Sequence, residues 1–147
     1  MIACHVVPHD GEDFRHCAAI RLEVFVGEQG VPLEEEMDDL DAVSVHVLAL
    51  ADGQPIGTGR LIPGGDGSAK IGRMAVLKPY RGQGVGSAIL EHLTAQARQR
   101  GVRSLSLAAQ LHAIPFYERF GFLTEGEVFL DAGIEHRWMH RVLGDHD

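Results

Sequence analysis

The sequence predicts an α/β fold, a single domain over residues 1–147 built on a mixed, mostly antiparallel sheet flanked by helices. Three observations predict it. Short apolar stretches alternate with period two and are bounded by Gly, Pro and Asp, as strands are. Two longer stretches carry apolar residues at helical spacing. The resulting order, β-α-loop-β-β-β-α-β-α-β-β, mixes tight hairpin turns with helical connections, so the sheet holds both antiparallel and parallel neighbours. A chain of 147 residues suffices for one real core.

Ile2–Val7 reads as the first strand, ended by Pro8, with Asp10 placed to cap the next helix. Phe14, Cys17, Ala18, Arg21, Leu22 and Phe25 recur at helical spacing, which predicts an amphipathic helix over 11–26. Cys4 and Cys17 then read as small buried residues rather than a disulfide framework. Gly27, Gly30 and Pro32 break the helix, and seven acidic residues crowd between Glu28 and Asp41. That segment is a solvated connection or a wall of the substrate site; the spacing and internal Gly of a calcium loop are missing. Residues 43–51 alternate as a strand, Asp52-Gly53 turns, and 55–62 return. Gly64-Gly65-Asp66-Gly67 turns again into a strand over 70–77.

That strand leads into the most informative stretch. Pro79 ends it, and Arg81-Gly82-Gln83-Gly84-Val85-Gly86-Ser87 opens a helix over 86–100 with Val85, Ile89, Leu93 and Ala97 on one face. Alternate glycines let a backbone approach a ligand, and the helix start adds unpaired N–H groups and a positive dipole end. Such a loop holds a phosphate or pyrophosphate, with Arg81 as counter-charge. It lacks the Lys of a phosphate-binding NTPase loop and the third glycine of a dinucleotide fingerprint, since position 87 is Ser. Leu105, Leu107 and Ala109 alternate in a fifth strand, and His112–Phe120 is a short helix with Pro115 in its first turn. Val128–Leu130 and Ile134–Val142 form a hairpin through Asp131-Ala132-Gly133.

Composition narrows the partners. Hydrophobic residues are 45% and charged residues 23%, with a net charge of −8 and no basic patch. Nucleic acid is a poor partner and a cationic substrate a better one. No apolar run reaches the length of a membrane span and no basic n-region opens the chain, so a cytoplasmic location is expected. The nine histidines are scattered. His136 and His140 share a strand, where that spacing holds the rings too far apart for one ion, so no metal site is expected.

Arg81-x-x-Gly84-x-Gly86 after a Met-Ala-Val strand resembles motif A of the GNAT N-acetyltransferase superfamily. Ala113-x-x-Phe116-Tyr117-x-x-x-Gly121-Phe122 resembles its motif B, and the element order agrees over nearly the whole chain. Val24–Asp38, His46–Leu48, Gly72–Val76 and Ala109–Tyr117 further resemble the ElaA-like branch. The resemblance implies that acetyl-CoA lies where the fourth and fifth strands splay. Backbone groups of Met74, Ala75 and Val76 would pair with the pantetheine, and Arg81, Gly82, Gln83, Gly84, Val85, Gly86 and Ser87 would hold the pyrophosphate. Tyr117 stands at the family's tyrosine position, as proton donor to the leaving thiolate; a phenol is protonated at neutral pH. Arg119 could reach a CoA phosphate. His112 is the first candidate for the general base, with His46, Glu28 and His136 as further candidates for base or acceptor binding. The expected partner is a small-molecule or peptide amine, and a homodimer is the candidate assembly. A non-catalytic CoA-binding or interaction module is the alternative, and only the enzyme needs Tyr117 and an open acceptor pocket.

Overall fold

The computed structural model describes residues 1–144. Strand β1 (Ile2–Val7) is followed by α1 (Phe14–Arg21), which continues as a π-helical stretch over Leu22–Glu28. The short α2 (Leu33–Glu36) and a 3₁₀ turn (Asp39–Val43) lead to β2 (Val45–Ala51), β3 (Gln54–Pro63) and β4 (Ser68–Val76). Then come α3 (Val85–Gln99), β5 (Ser104–Gln110), α4 (Ile114–Glu118), β6 (Leu123–Asp131) and β7 (Ile134–Val142). Seven strands form one sheet in the order β1-β2-β3-β4-β5-β7-β6, with β4–β5 the parallel pair. The mixed fold expected from the sequence is borne out.

Several boundaries differ for identifiable reasons. Asp10 does not cap α1. Gly11 N–H closes a turn onto the Pro8 carbonyl at 3.0 Å, which places Asp10 inside that turn. Asp13 stands at the cap position without a side-chain bond. Val43 closes the 3₁₀ turn, is 62% exposed and lies outside β2. Strand β6 starts at Leu123, well before Val128. It is an exposed edge strand with a bulge between Glu125 and Phe129, so no alternation marks its first half.

The helices α3 and α1 pack on opposite faces. Val85, Ile89, Leu93 and Ala97 are all buried, as their spacing predicts. They reach the sheet because β3 carries glycine under them. A Cβ on Gly57 would lie 2.8 Å from Ile89 Cδ1, and one on Gly59 would lie 2.9 Å from Leu93 Cδ1. Glycine therefore sets the helix–sheet spacing. Under α1, Cys17 packs with Val7, Ile20, Val24, Leu48 and Ala75. Burial raises the Cys17 thiol and also that of half-buried Cys4, which fits small core residues rather than nucleophiles.

The pairing of β4 with β5 creates the opening on which function depends. It runs from Ser68↔Ser104 to Lys70↔Ser106 and stops. Beyond Lys70, β4 stays paired with β3 through Ala75↔Thr58 and Val76↔Gly57. Its side toward β5 has left the ladder, so backbone groups there are available to a ligand.

Candidate active site

A cavity of about 770 Å³ fills the splay between β4 and β5. Met74, Ala75 and Val76 line one wall, and Leu107, Ala108 and Ala109 the other. Arg81, Gly82, Gly84, Val85, Gly86 and Ser87 stand at one end. Of the predicted loop, Gln83 alone stays outside the lining; its Nε2 donates to the Pro79 carbonyl at 3.2 Å. Gly82 and Gly84 have φ of 78° and 85°, a conformation that side chains resist, and Gly84 is the N-cap of α3. The first-turn N–H groups of a 15-residue helix therefore meet the cavity with nothing larger than hydrogen on the capping residue.

Arg81 is held by protein groups. Its Nε donates to the Val76 carbonyl at 2.8 Å, and its two terminal nitrogens grip the Glu28 carboxylate at 2.9 and 2.7 Å. This bidentate contact holds Glu28 below the usual carboxylate range. Glu28 is thus a brace between the end of the π-helical stretch and the loop, and it stands outside the cavity lining.

Tyr117, on α4, lines the cavity and is 9% exposed. Phe116 meets its ring edge-on at 5.0 Å and Phe122 at 5.9 Å. Burial pushes its phenol up to about 12, so at neutral pH it carries its proton. Its hydroxyl has no hydrogen-bond partner among the described residues. His112, exposed on the turn before α4, and Arg119 also line the cavity.

The far end is bounded by Val24, Phe25, Val31, Ile134 and His136, with Glu35, Glu36, Lys70, Arg73 and Asp131 as its charged members. His136 Nδ1 lies 2.7 Å from the Ile134 carbonyl. Two residues given no role by the sequence join them. Gln110 Nε2 donates to Gln29 Oε1 at 2.9 Å, and Gln29 Nε2 returns toward Gln110 Oε1 at 3.5 Å. Both glutamines fall inside the quoted ElaA-like segments, but only the fold reveals that they face each other. Arg73 was also missed. It holds a left-handed φ of 52° within β4, a strained conformation for a side-chain-bearing residue.

His46 is not brought to the cavity. It lies buried on the α1 side of the sheet, its Nε2–H donating to the Asp41 carbonyl at 2.8 Å and its ring against Phe14. Burial pushes its pKa down. The acidic segment also has a structural explanation. Arg21 Nε meets Glu36 at 2.7 Å, and Arg21 Nη1 meets Asp41 at 2.8 Å. Arg60 bridges Asp38 at 2.7 Å and Asp41 at 2.9 Å, and Arg73 reaches Glu36 and Asp38, both at 3.2 Å. Arg60's hydrogen bonds pull the Asp38 carboxyl down to about 2. Burial opposes ionisation of Asp41, but the Arg21 and Arg60 bonds outweigh it and hold its pKa low. Four of the seven acids are therefore neutralised by arginines, counting Glu28 with Arg81. Val31, Glu35 and Glu36 of this segment line the cavity, so it forms part of the wall. Among the described residues, no group of His, Cys, Asp and Glu could hold a metal ion, and no helix is long and apolar enough to cross a membrane.

The acetyltransferase (GNAT) family model matches residues 12–122. The uncharacterized N-acetyltransferase YjcF of Bacillus subtilis (strain 168) is 41% identical over 136 residues, which are 91% of this chain and 96% of that one. Among solved structures, an acyl-CoA N-acyltransferase from Pseudomonas aeruginosa superposes with a TM-score of 0.85 at 34% identity, covering 96% of this chain and 99% of that one. Escherichia coli ElaA superposes with a TM-score of 0.86 at 26% identity over 96% of this chain and 99% of its own.

Proposed function

The chain belongs to the GNAT acetyltransferase family, and we propose that it moves the acetyl group of acetyl-CoA directly onto a primary amine within a ternary complex. The observation that carries this reading is the end of β4–β5 pairing at Lys70↔Ser106. It leaves a cavity with the N-terminus of α3 at one end and Tyr117 on its wall. The unpaired side of Met74 and Ala75 and the N–H of Val76, whose carbonyl Arg81 Nε already holds, would hydrogen-bond the pantetheine as a strand would. The N–H groups of Gln83 to Ser87, with the α3 dipole, would hold the pyrophosphate. A backbone N–H beside Val76 would face the thioester oxygen and stabilise its developing charge.

The proton balance follows from the chemistry. An alkylammonium must lose one proton to become a nucleophile, at roughly 5 kcal/mol from a reference pKa near 10.4. The neutral nitrogen then forms a bond to the thioester carbon, and the carbon–sulfur bond breaks. Tyr117 gives its proton to the departing sulfur, and its phenolate takes the second proton from the former amine nitrogen. One proton reaches solvent and one ends on CoA. The apolar members of the acceptor end, Val24, Phe25, Val31 and Ile134, suit an amine on a hydrocarbon or aryl arm, whether free or on a peptide.

Free thiol release on incubation with acetyl-CoA and a panel of primary amines tests this reading. Turnover with at least one amine, with the acetylated product seen by mass, is expected. CoA binding without turnover on any amine would favour a non-catalytic module.

A further inference from the structure

Resting on the transferase reading, we infer that His136 is the group that takes the proton from the acceptor amine. One hydrogen bond fixes the ring's tautomer. A backbone carbonyl can only accept, so the 2.7 Å contact from His136 Nδ1 to the Ile134 oxygen requires the hydrogen on Nδ1. In the neutral ring Nε2 is then the unprotonated nitrogen, free to accept. Nε2 has no protein partner among the described residues.

The ring is also held in place. It is 8% exposed, lines the acceptor end of the cavity, and is stacked on Phe129 at 5.9 Å with an interplanar angle of 25°. Phe129 is its cross-strand partner on β6, and Gln110 its cross-strand partner on β5. Directly opposed residues hold their Cβ atoms about 5 Å apart, so the Gln29–Gln110 amide pair stands beside the imidazole. The amides offer hydrogen-bonding groups that do not titrate, and the imidazole offers a lone pair. Together they can hold an amine and remove its proton. The charged groups sharing this part of the cavity are Glu35, Glu36, Lys70, Arg73 and Asp131, with Glu36 paired to Arg73 and Arg21. By contrast, His112 is exposed on its turn and has no hydrogen bond fixing its tautomer.

In the step, the amine N–H bond breaks and its proton joins Nε2. The amine keeps the electron pair with which it attacks the thioester carbon, and the imidazolium passes the proton to water. The base is needed only when the amine arrives charged.

Two probes of nearly the same shape separate this role from a structural one. 2-Phenylethylamine is an ammonium ion at neutral pH, whereas O-benzylhydroxylamine, with oxygen in place of one methylene, is neutral. In His136→Gln, kcat/KM for 2-phenylethylamine should fall about 10²–10⁴-fold, while that for O-benzylhydroxylamine should fall less than about tenfold, outside that range. Acetyl-CoA affinity should stay unchanged. Equal losses on both amines, or none on either, would overturn the role and leave the transferase reading standing, because that reading is tested by the parent's own turnover. Nitrogen-15 NMR of histidine-labelled parent protein, with His136→Gln for assignment, reads the ring without any acceptor. At a pH high enough to make the ring neutral, its hydrogen is expected on Nδ1, and a hydrogen on Nε2 would overturn the inference.

Discussion

Tyr117→Phe should lower kcat by about 10²–10⁴, the usual effect of losing one well-placed acid, and leave acetyl-CoA affinity nearly unchanged. The substitution keeps the ring that packs between Phe116 and Phe122 and removes only the hydroxyl. The phenol contributes to the departure of the thiolate, not to ground-state binding. A tyrosine with a purely structural role would give a less stable protein with near-normal turnover. A second signature comes from linkage. The folded state holds the Tyr117 proton up to about pH 12, whereas an unfolded tyrosine releases it near pH 10. The folded pKa is the higher one, so this contribution to stability is complete below about pH 10 and lost as pH rises through 12. The variant's melting temperature should therefore fall less steeply over that alkaline range. A kcat within about threefold of the parent, far short of a lost acid, would make Tyr117 scaffold and leave water as the proton source.

Arg21→Ala should destabilise the fold by about 3–5 kcal/mol, because it takes the shortest ion-pair partner from two buried carboxylates and leaves Glu36 with Arg73 and Asp41 with Arg60. Arg21 and Glu36 are each 1% exposed and Asp41 is 3% exposed, and the guanidinium serves both acids. For a domain of this size that corresponds to a fall of roughly 10–15 °C in Tm. The same arginine network holds α2 and the 3₁₀ turn against β3 and β4, so the acceptor wall should loosen with it. Acetyl-CoA affinity should fall much less than stability, since the hydrogen bonds of Arg21 go to Glu36 and Asp41 and not to α3 or its loop. A drop in Tm of less than about 3 °C, near 1 kcal/mol, would show that the network contributes little net stability.

Legibility in the sequence followed the physics of each element. The α3 stripe, the hairpin turns and the glycine loop could be read because period, turn chemistry and backbone freedom are local properties. Motif spacing likewise placed Tyr117 and Met74–Val76 on the cavity. The acidic segment misled for the opposite reason. Its partners Arg21, Arg60, Arg73 and Arg81 stand on other elements, so charge density along the chain said nothing about neutralisation in space. His46 misled because strand alternation gives two faces without saying which one a ligand meets. His136 was one candidate among several in the sequence. Its tautomer, its aromatic stack and its neighbour Gln110 come from strand pairing. Residues 25–36 and 134–136 meet at the cavity only through tertiary packing, which is why the Gln29–Gln110 pair carried no signal of its own.

If CoA occupies the splay with its pyrophosphate on the loop before α3, its affinity depends on Gly84, and a titration of CoA against the parent and Gly84→Val reads that dependence. Valine at a φ of 85° strains the cap and puts a side chain where the pyrophosphate must approach the N–H groups. With circular dichroism showing both proteins folded, the parent should bind CoA and Gly84→Val should bind at least about tenfold more weakly, a loss of about 1.4 kcal/mol or more. Equal affinity in the two folded proteins would place CoA elsewhere.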